Sequence, residues 1–413
     1  MMRSVLLITL MWFAMTSTAL AADTEALLYL NQLRLAAGMK PLQQDPHLAQ
    51  AAQAHADYLR LNHRSGHGES PGLAGFTGRS PSDRALAASY PSSHVSENVH
   101  YQQGDIVASE AANIAIDGLM TAIYHRFGFL DFDIDRVGVG YSSDERNSVT
   151  VFVMANHGEA QACSAHASGR PHGMFYTRVC ADSNKKIPSL QWQQAKQAAR
   201  QGQPAWVLWP YDGATGVDPA FANESPDPLP DLDISGNPLS ININPAYADE
   251  IHVIDFTLYD DSGRSLPARL LNQHNDPNHK FNARQVSLFP LQRLQWNSRY
   301  QASIDMDVAG KREHITWSFR TRDLGVDTFE VRHDQEVLHL QSSQRNFAIY
   351  IPPQGEGPDI IHSFSASYQG LSNLKNRLYD SNTMMMHINQ PNAQARIHIQ
   401  TDSGFQFTIA FDG

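Results

Sequence analysis

The sequence predicts an α+β unit at the front of the chain, followed by two all-β units. Three observations predict it. Apolar residues recur at helical spacing from Thr24 to about Ile123, and two Val-rich alternating runs, RVGVGYS and SVTVFVMAN, then close that region. From Pro238 onward there are only short alternating runs separated by turns. Helices first and strands last make a layered α+β module.

The length of 413 residues allows two to four domains at roughly 100 to 200 residues each. With 42% hydrophobic and 18% charged residues, the composition fits folded modules rather than disorder. A net charge of -11 disfavours a nucleic-acid partner, because a phosphate backbone calls for a basic face.

Residues 1–21 read as a signal peptide, with Arg3, an apolar core from Val5 to Ala14 and a small-x-small site at Ala19-Leu20-Ala21. The expected product is periplasmic or secreted. No later apolar run reaches the roughly 20 residues that a span requires, so no transmembrane segment is expected after cleavage. In an oxidising compartment, Cys163 and Cys180 are expected to form one disulfide.

The first helix runs from Thr24 to Gly38, with Leu27, Leu30 and Leu33 or Arg34 on one face. Asp45 caps the next, Pro46 opens it, and its Ala-rich face continues to about Asn62. His63 to Gly78 is a glycine-dense loop. Ser80-Pro81 opens a short helix, and SPSDR reads as a cap plus an Arg84 clamp. SSHVSENVHY reads as a turn into an exposed polar stretch. A helix from about Asp105 to Ile123 then leads to YHRFGFLD, which puts His125 at a helix end where a cation suits the dipole.

Leu190 to Gln201 is a short helix. Pro204 to Pro230 holds six Pro in 27 residues and reads as a rigid connector. Its Trp206, Trp209, Tyr211 and Phe221 are expected to staple it to neighbouring domains, with sugar stacking as the alternative. PLSININ, IHVIDFTLYD, RLLN, QVSLFP, YQASIDMDV and HITWSFRT supply the strands of one sandwich; TFEVRH to GFQFTIA supply a last β unit. Met384 to Met386 read as strand core rather than a copper site.

On residue chemistry, the candidates for a site are His67, Glu97 and His125. Two imidazoles can hold an ion such as Zn²⁺, with Glu97 as a further ligand or as the base for a bound water. Separations of 30 and 28 residues make no short motif, and HExxH, CxxC and GxSxG are absent. Ser96 beside Glu97 is not a nucleophile, since neither a positioned base nor an oxyanion cradle accompanies it.

The order AAQAHADYL, Gly66-His67, SPSDR, SENV at 96–99, His125-Arg126 and VGVGY at 137–141 resembles the CAP superfamily (SCP-like) in its bacterial form. The resemblance implies an α-β-α sandwich whose cleft gathers His67, Glu97 and His125, with His67 and His125 positioned for one divalent metal ion, Zn²⁺ foremost. It departs from the animal and plant pattern, which has a second Glu before the last His; here that place falls near Thr121 and Ala122. NPLSININ to ITWSFRTR similarly resembles a bacterial Ig-like domain.

The expected organisation is therefore a signal peptide at 1–21, a CAP-like domain at 22–160, and a disulfide-closed segment with Pro-rich connector at 161–235. An Ig-like β-sandwich at 236–322 and a C-terminal β domain at 323–413 complete it. The resemblance implies binding of a lipid, glycan or protein ligand through the cleft. The alternatives are a metal-dependent hydrolase with Glu97 as catalytic base, and an adhesive protein acting through its β domains.

Overall fold

The computed structural model describes residues 24–103, 108–165, 173–222, 224–355, 359–389, 391–392 and 394–412. The predicted signal peptide lies outside these residues.

Helix α1 covers residues 24–36, and Gly38 ends it at φ +81°. Strand β1 (Gln43–Gln44) leads into α2 (Pro46–Asn62), where the Asp45 side chain accepts from the His47 and Leu48 N–H groups. Helix α3 (Pro81–Ala87) opens with a reciprocal capping box between Ser80 and Asp83. Strand β2 (Val95–Gln103), α4 (Ala108–Thr121), α5 (Ile123–Phe129), β3 (Arg136–Ser143) and β4 (Asn147–Ala155) complete the unit.

The sheet order is β1-β3-β4-β2, with β1 parallel to β3 and the other pairs antiparallel. All nine residues of β4 are buried because helices cover both faces. Val149, Val151 and Val153 pack with Leu48, Ala52 and Ala56 of α2, whereas Phe152 and Met154 pack with Leu30 and with Ile116 of α4. The VGVGY run has a steric origin. A Cβ on Gly138 would sit 2.0 Å from the Leu48 carbonyl carbon, and one on Gly140 would sit 2.3 Å from the Gln53 nitrogen. Only glycine lets α2 lie this close to β3.

Two expectations for this unit are corrected. SENVHY is not an exposed stretch but part of a nine-residue strand paired along its length with β4. The helix expected through Ile123 ends at Thr121, and Ala122 breaks it with extended backbone at ψ 110°. His125 therefore stands in the first turn of α5, at the positive rather than the negative end of a helix dipole.

Helix α6 (His157–Ser164) and α7 (Ser189–Arg200) flank the segment closed by the Cys163–Cys180 disulfide. The remainder of the chain is β-rich. Strands Ala268–Asn272, Gln285–Pro290, Leu239–Ile243 and Trp206–Trp209 form one four-stranded sheet, in that order. Ile251–Asp260, Arg299–Val308, Lys311–Thr321 and Ala214–Val217 form a second, and the two share one apolar cluster. A further pair of four-stranded sheets from Asp327 to Asp412 shares another, with Met384 and Met386 inside it. Neither pair closes into a barrel. The sequence reading missed one strand there, Asn373–Asp380.

The aromatic residues of the connector are staples. Trp209 packs into the same cluster as α1 and α4, Phe221 packs with Phe127 and Phe289, and Tyr211 touches two clusters. Arg126 reinforces this junction. Fully buried, it donates to the carbonyls of Met120 and Pro238, to Ser240 Oγ and to Asn237 Oδ1. Among the described residues, no helix is long and apolar enough to cross a membrane.

Candidate functional site

The site begins with a network of buried charge. Glu97 and Asn98 are successive residues of β2, so their side chains point to opposite faces of the sheet. Glu97 reaches the α2/α3 side, where Arg84 donates to both of its oxygens at 2.9 and 2.7 Å. Asn98 reaches the other side, and its Nδ2 donates to the His125 carbonyl at 2.8 Å. One strand thus holds both walls of the cleft in register.

Arg84 does more than pair. It also donates to the carbonyls of His67 and Gly78, pinning both ends of the glycine-dense loop. Glu69 lies behind it and accepts from the Thr77 and Gly78 N–H groups and from His55 Nδ1. His55 Nε2 is bonded to the Gly66 carbonyl, so both nitrogens of this buried histidine are satisfied within the fold. Burial alone would raise the Glu97 carboxyl, but the hydrogen bond from His67 and the charges of His55 and Arg84 outweigh it. The group is held below the usual carboxylate range.

His67 Nδ1 lies 3.0 Å from Glu97 Oε1, while the ring stays half exposed. Its ring stacks towards that of His125, with centroids 6.1 Å apart and planes at 26°. The three residues singled out in the sequence therefore stand together, with His67 as the link.

The carboxylate beside His125 was missed. Glu224, from the Pro-rich connector, lies 2.5 Å from His125 Nδ1 and accepts from the Tyr124 and His125 N–H groups. It caps α5, whose own Ala122 has no side chain to do so. No local signal marks Glu224, because its partner lies 99 residues away. His55 and Glu69 did leave a signal: His55 falls on the buried Ala-rich stripe of α2.

His67, His125 and Glu224 line a cleft of about 1550 Å³. Its far end is where α4 and the connector meet the β units. Arg322 donates to Asp117 of α4 at 2.7 Å and lies 2.9 Å from Asp218, and Tyr29 donates to the same Asp117 at 2.6 Å. Burial opposes the charge on Arg322, and the two carboxylates override it. Trp296 and Tyr379, from different β units, meet edge to face at 5.6 Å, and Trp296 Nε1 donates to Thr383 Oγ1.

The fit to a metal ion is incomplete. Among the described residues no three His, Cys, Asp or Glu side chains converge as an ion requires. His67 and His125 bring two imidazoles, each oriented by a carboxylate, and no third protein donor.

Residues 27–156 match the sequence pattern of CAP, the cysteine-rich secretory protein family. This match and the helix-sheet-helix layering establish a CAP-like domain over about a third of the chain. No curated protein matches the chain. Among solved structures, an extracellular protein containing an SCP domain from Bacillus anthracis str. Ames is 19% identical over 33% of this chain, with a TM-score of 0.27. The chain spans 41% of that protein's length. Cadherin-like domains 1 to 4 of zebrafish RET are 8% identical over 50% of this chain and 51% of theirs, at a TM-score of 0.18. An endo-fucoidan hydrolase of glycoside hydrolase family 107 is 9% identical over 57% of this chain and 40% of its own, at 0.21.

Proposed function

We propose that the protein is an exported binding protein that takes an extended polar ligand, a glycan foremost, in the cleft shared by its CAP-like and β units. The observation that carries this reading is the lining. One end offers two imidazoles and Glu224; the other offers Asp117, Asp218 and Arg322 beside the rings of Trp296 and Tyr379. The volume exceeds the roughly 300 to 1,000 Å³ of ordinary small-molecule sites. Charged walls interrupted by aromatic rings suit hydroxyl-rich polymers better than acyl chains.

In this reading the two β units are Ig-like sandwiches, the first extending back from the expected boundary at 236 to take in Trp206–Trp209 and Ala214–Val217, the second beginning near residue 323. They line one end of the cleft through Trp296, Arg322 and Tyr379, which favours a binding role over that of a bare spacer. A divalent ion, Zn²⁺ foremost, would be held by His67 and His125, with water or ligand completing its shell. Hydrolysis with Glu97 as base is the weaker reading. A buried carboxylate clamped by Arg84 and held at low pKa is poorly matched to taking a proton near neutrality.

Titration calorimetry of the mature chain with soluble envelope-glycan oligosaccharides tests the proposal. Saturable binding that is weakened in both His125→Ala and Trp296→Ala is expected. Binding of fatty acids or sterols instead, with no response to glycans, would overturn it. Elemental analysis of wild type and His67→Ala/His125→Ala tests the metal separately.

A further inference from the structure

The charge of this chain is unevenly placed. The whole is acidic at -11, yet residues 173–200 hold Arg178, Lys185, Lys186, Lys196 and Arg200 against one acid, Asp182. Lys196 and Arg200 face Asp133 in the CAP-like unit. Arg178 and Lys186 are exposed, and Lys185 is half buried with its ammonium on the Cys163 carbonyl.

The same segment presents bare apolar surface. Met174 is 81% exposed and Leu190 64%, the two highest values for large apolar side chains among the described residues. Phe175 and Tyr176 add to the patch at 39% and 40%. Backbone geometry holds the four together. Phe175–Tyr176 pairs antiparallel with Ile187–Pro188, and the Ser189 N–H donates to the Met174 carbonyl at 3.0 Å, which sets Met174 beside Leu190. The Cys163–Cys180 disulfide and the Tyr176–Trp192 ring contact anchor the hairpin, and Lys186 Nζ lies 4.6 Å over the Phe175 ring. This surface lies outside the family-matched residues and shares no residue with the cleft.

We infer that this hairpin docks the protein onto an anionic phospholipid surface. The pairing of chemistries selects that occupant. Cations satisfy headgroup phosphates while Met174, Leu190 and Phe175 enter the acyl boundary. A soluble polyanion would engage the cations and leave the apolar tips in water. Each cation near such a surface strengthens binding about fivefold at low salt.

Co-sedimentation of the full mature chain with phosphatidylcholine vesicles, and with vesicles that also contain phosphatidylglycerol, tests the inference at low and high salt. Binding only to the phosphatidylglycerol vesicles, released by salt, is expected. Arg178→Ala/Lys186→Ala should weaken it about twenty-fivefold, and Met174→Ser/Leu190→Ser about tenfold or more. All four side chains are exposed, so an unchanged melting temperature checks that the variants fold. Absence of binding by the wild type, or equal binding to both vesicles, overturns the inference. Equally tight binding to dextran sulfate that ignores the serine pair also overturns it, in favour of an anionic polymer.

Discussion

Arg84→Met removes the one guanidinium that neutralises the carboxylates beneath the cleft. The side chains of Arg84, Glu97 and Glu69 are 1%, 1% and 0% exposed, so water cannot take over from the lost partner. Breaking a buried pair by removing one member costs about 3–5 kcal/mol, because the remaining charge keeps its desolvation penalty. Against a typical total of about 5–15 kcal/mol, this is a large fraction of stability. Urea unfolding of wild type and variant reads it directly. Arg84→Lys keeps the charge but loses the fork that spans both Glu97 oxygens and two carbonyls, so an intermediate loss is expected. Arg84→Met/Glu97→Gln should be less destabilised than the sum of its single changes, by more than about 1 kcal/mol. A cost below about 1 kcal/mol for Arg84→Met would falsify the reading, since the carboxylates would then need no counter-charge.

Arg126→Met strands four acceptors at the junction between the CAP-like and β units; calorimetry should show one transition for the wild type and two for the variant, and a variant trace unshifted from the wild type's would contradict this. Glu224→Ala removes the cap of α5, at about 1 kcal/mol, and frees the His125 ring. Ligand affinity should fall much more than stability does, and retained affinity would count against Glu224 as part of the cleft. Burial, and secondarily His125, push the His100 imidazole from its ordinary 6.5 down to about 4. The unfolded chain then takes up a proton that the folded one refuses, so stability falls as pH drops through this window and rises as pH returns to 6.5. The increment is about 2–3 kcal/mol, and urea titrations from pH 4 to 7 should show a flatter profile for His100→Phe; an unchanged slope would refute it.

Local chemistry was legible in the sequence. Asp45-Pro46, the Ser80 capping box and the glycine pair in VGVGY each act within a few residues or through a simple steric demand. The disulfide followed from two cysteines in a chain read as carrying a signal peptide. What stayed illegible depended on distant partners. β2 looks like polar surface because VSENVHYQQ shows no apolar stripe, yet Glu97 and Asn98 are buried where Arg84 and the His125 carbonyl satisfy them. The break at Ala122 has no glycine or proline to announce it. It is stabilised by Glu224, whose carboxylate arrives from the connector.

The same dependence explains why the family-matched third of the chain does not contain the whole site. His67 is placed by Arg84 and Glu97 within the CAP-like unit, but the His125 ring is oriented by Glu224 from outside it. Asp117, on α4, meets its guanidinium only through Arg322 at the end of a β strand. Even the core is shared, since Val207 and Trp209 pack among the side chains of α1 and α4. An isolated piece ending near residue 160 would expose that apolar face, leave Arg126 without Pro238, Ser240 and Asn237, and lose both Glu224 and the far end of the cleft. The cleft therefore depends on how the CAP-like unit, the connector and the β units meet, since each contributes residues to its lining.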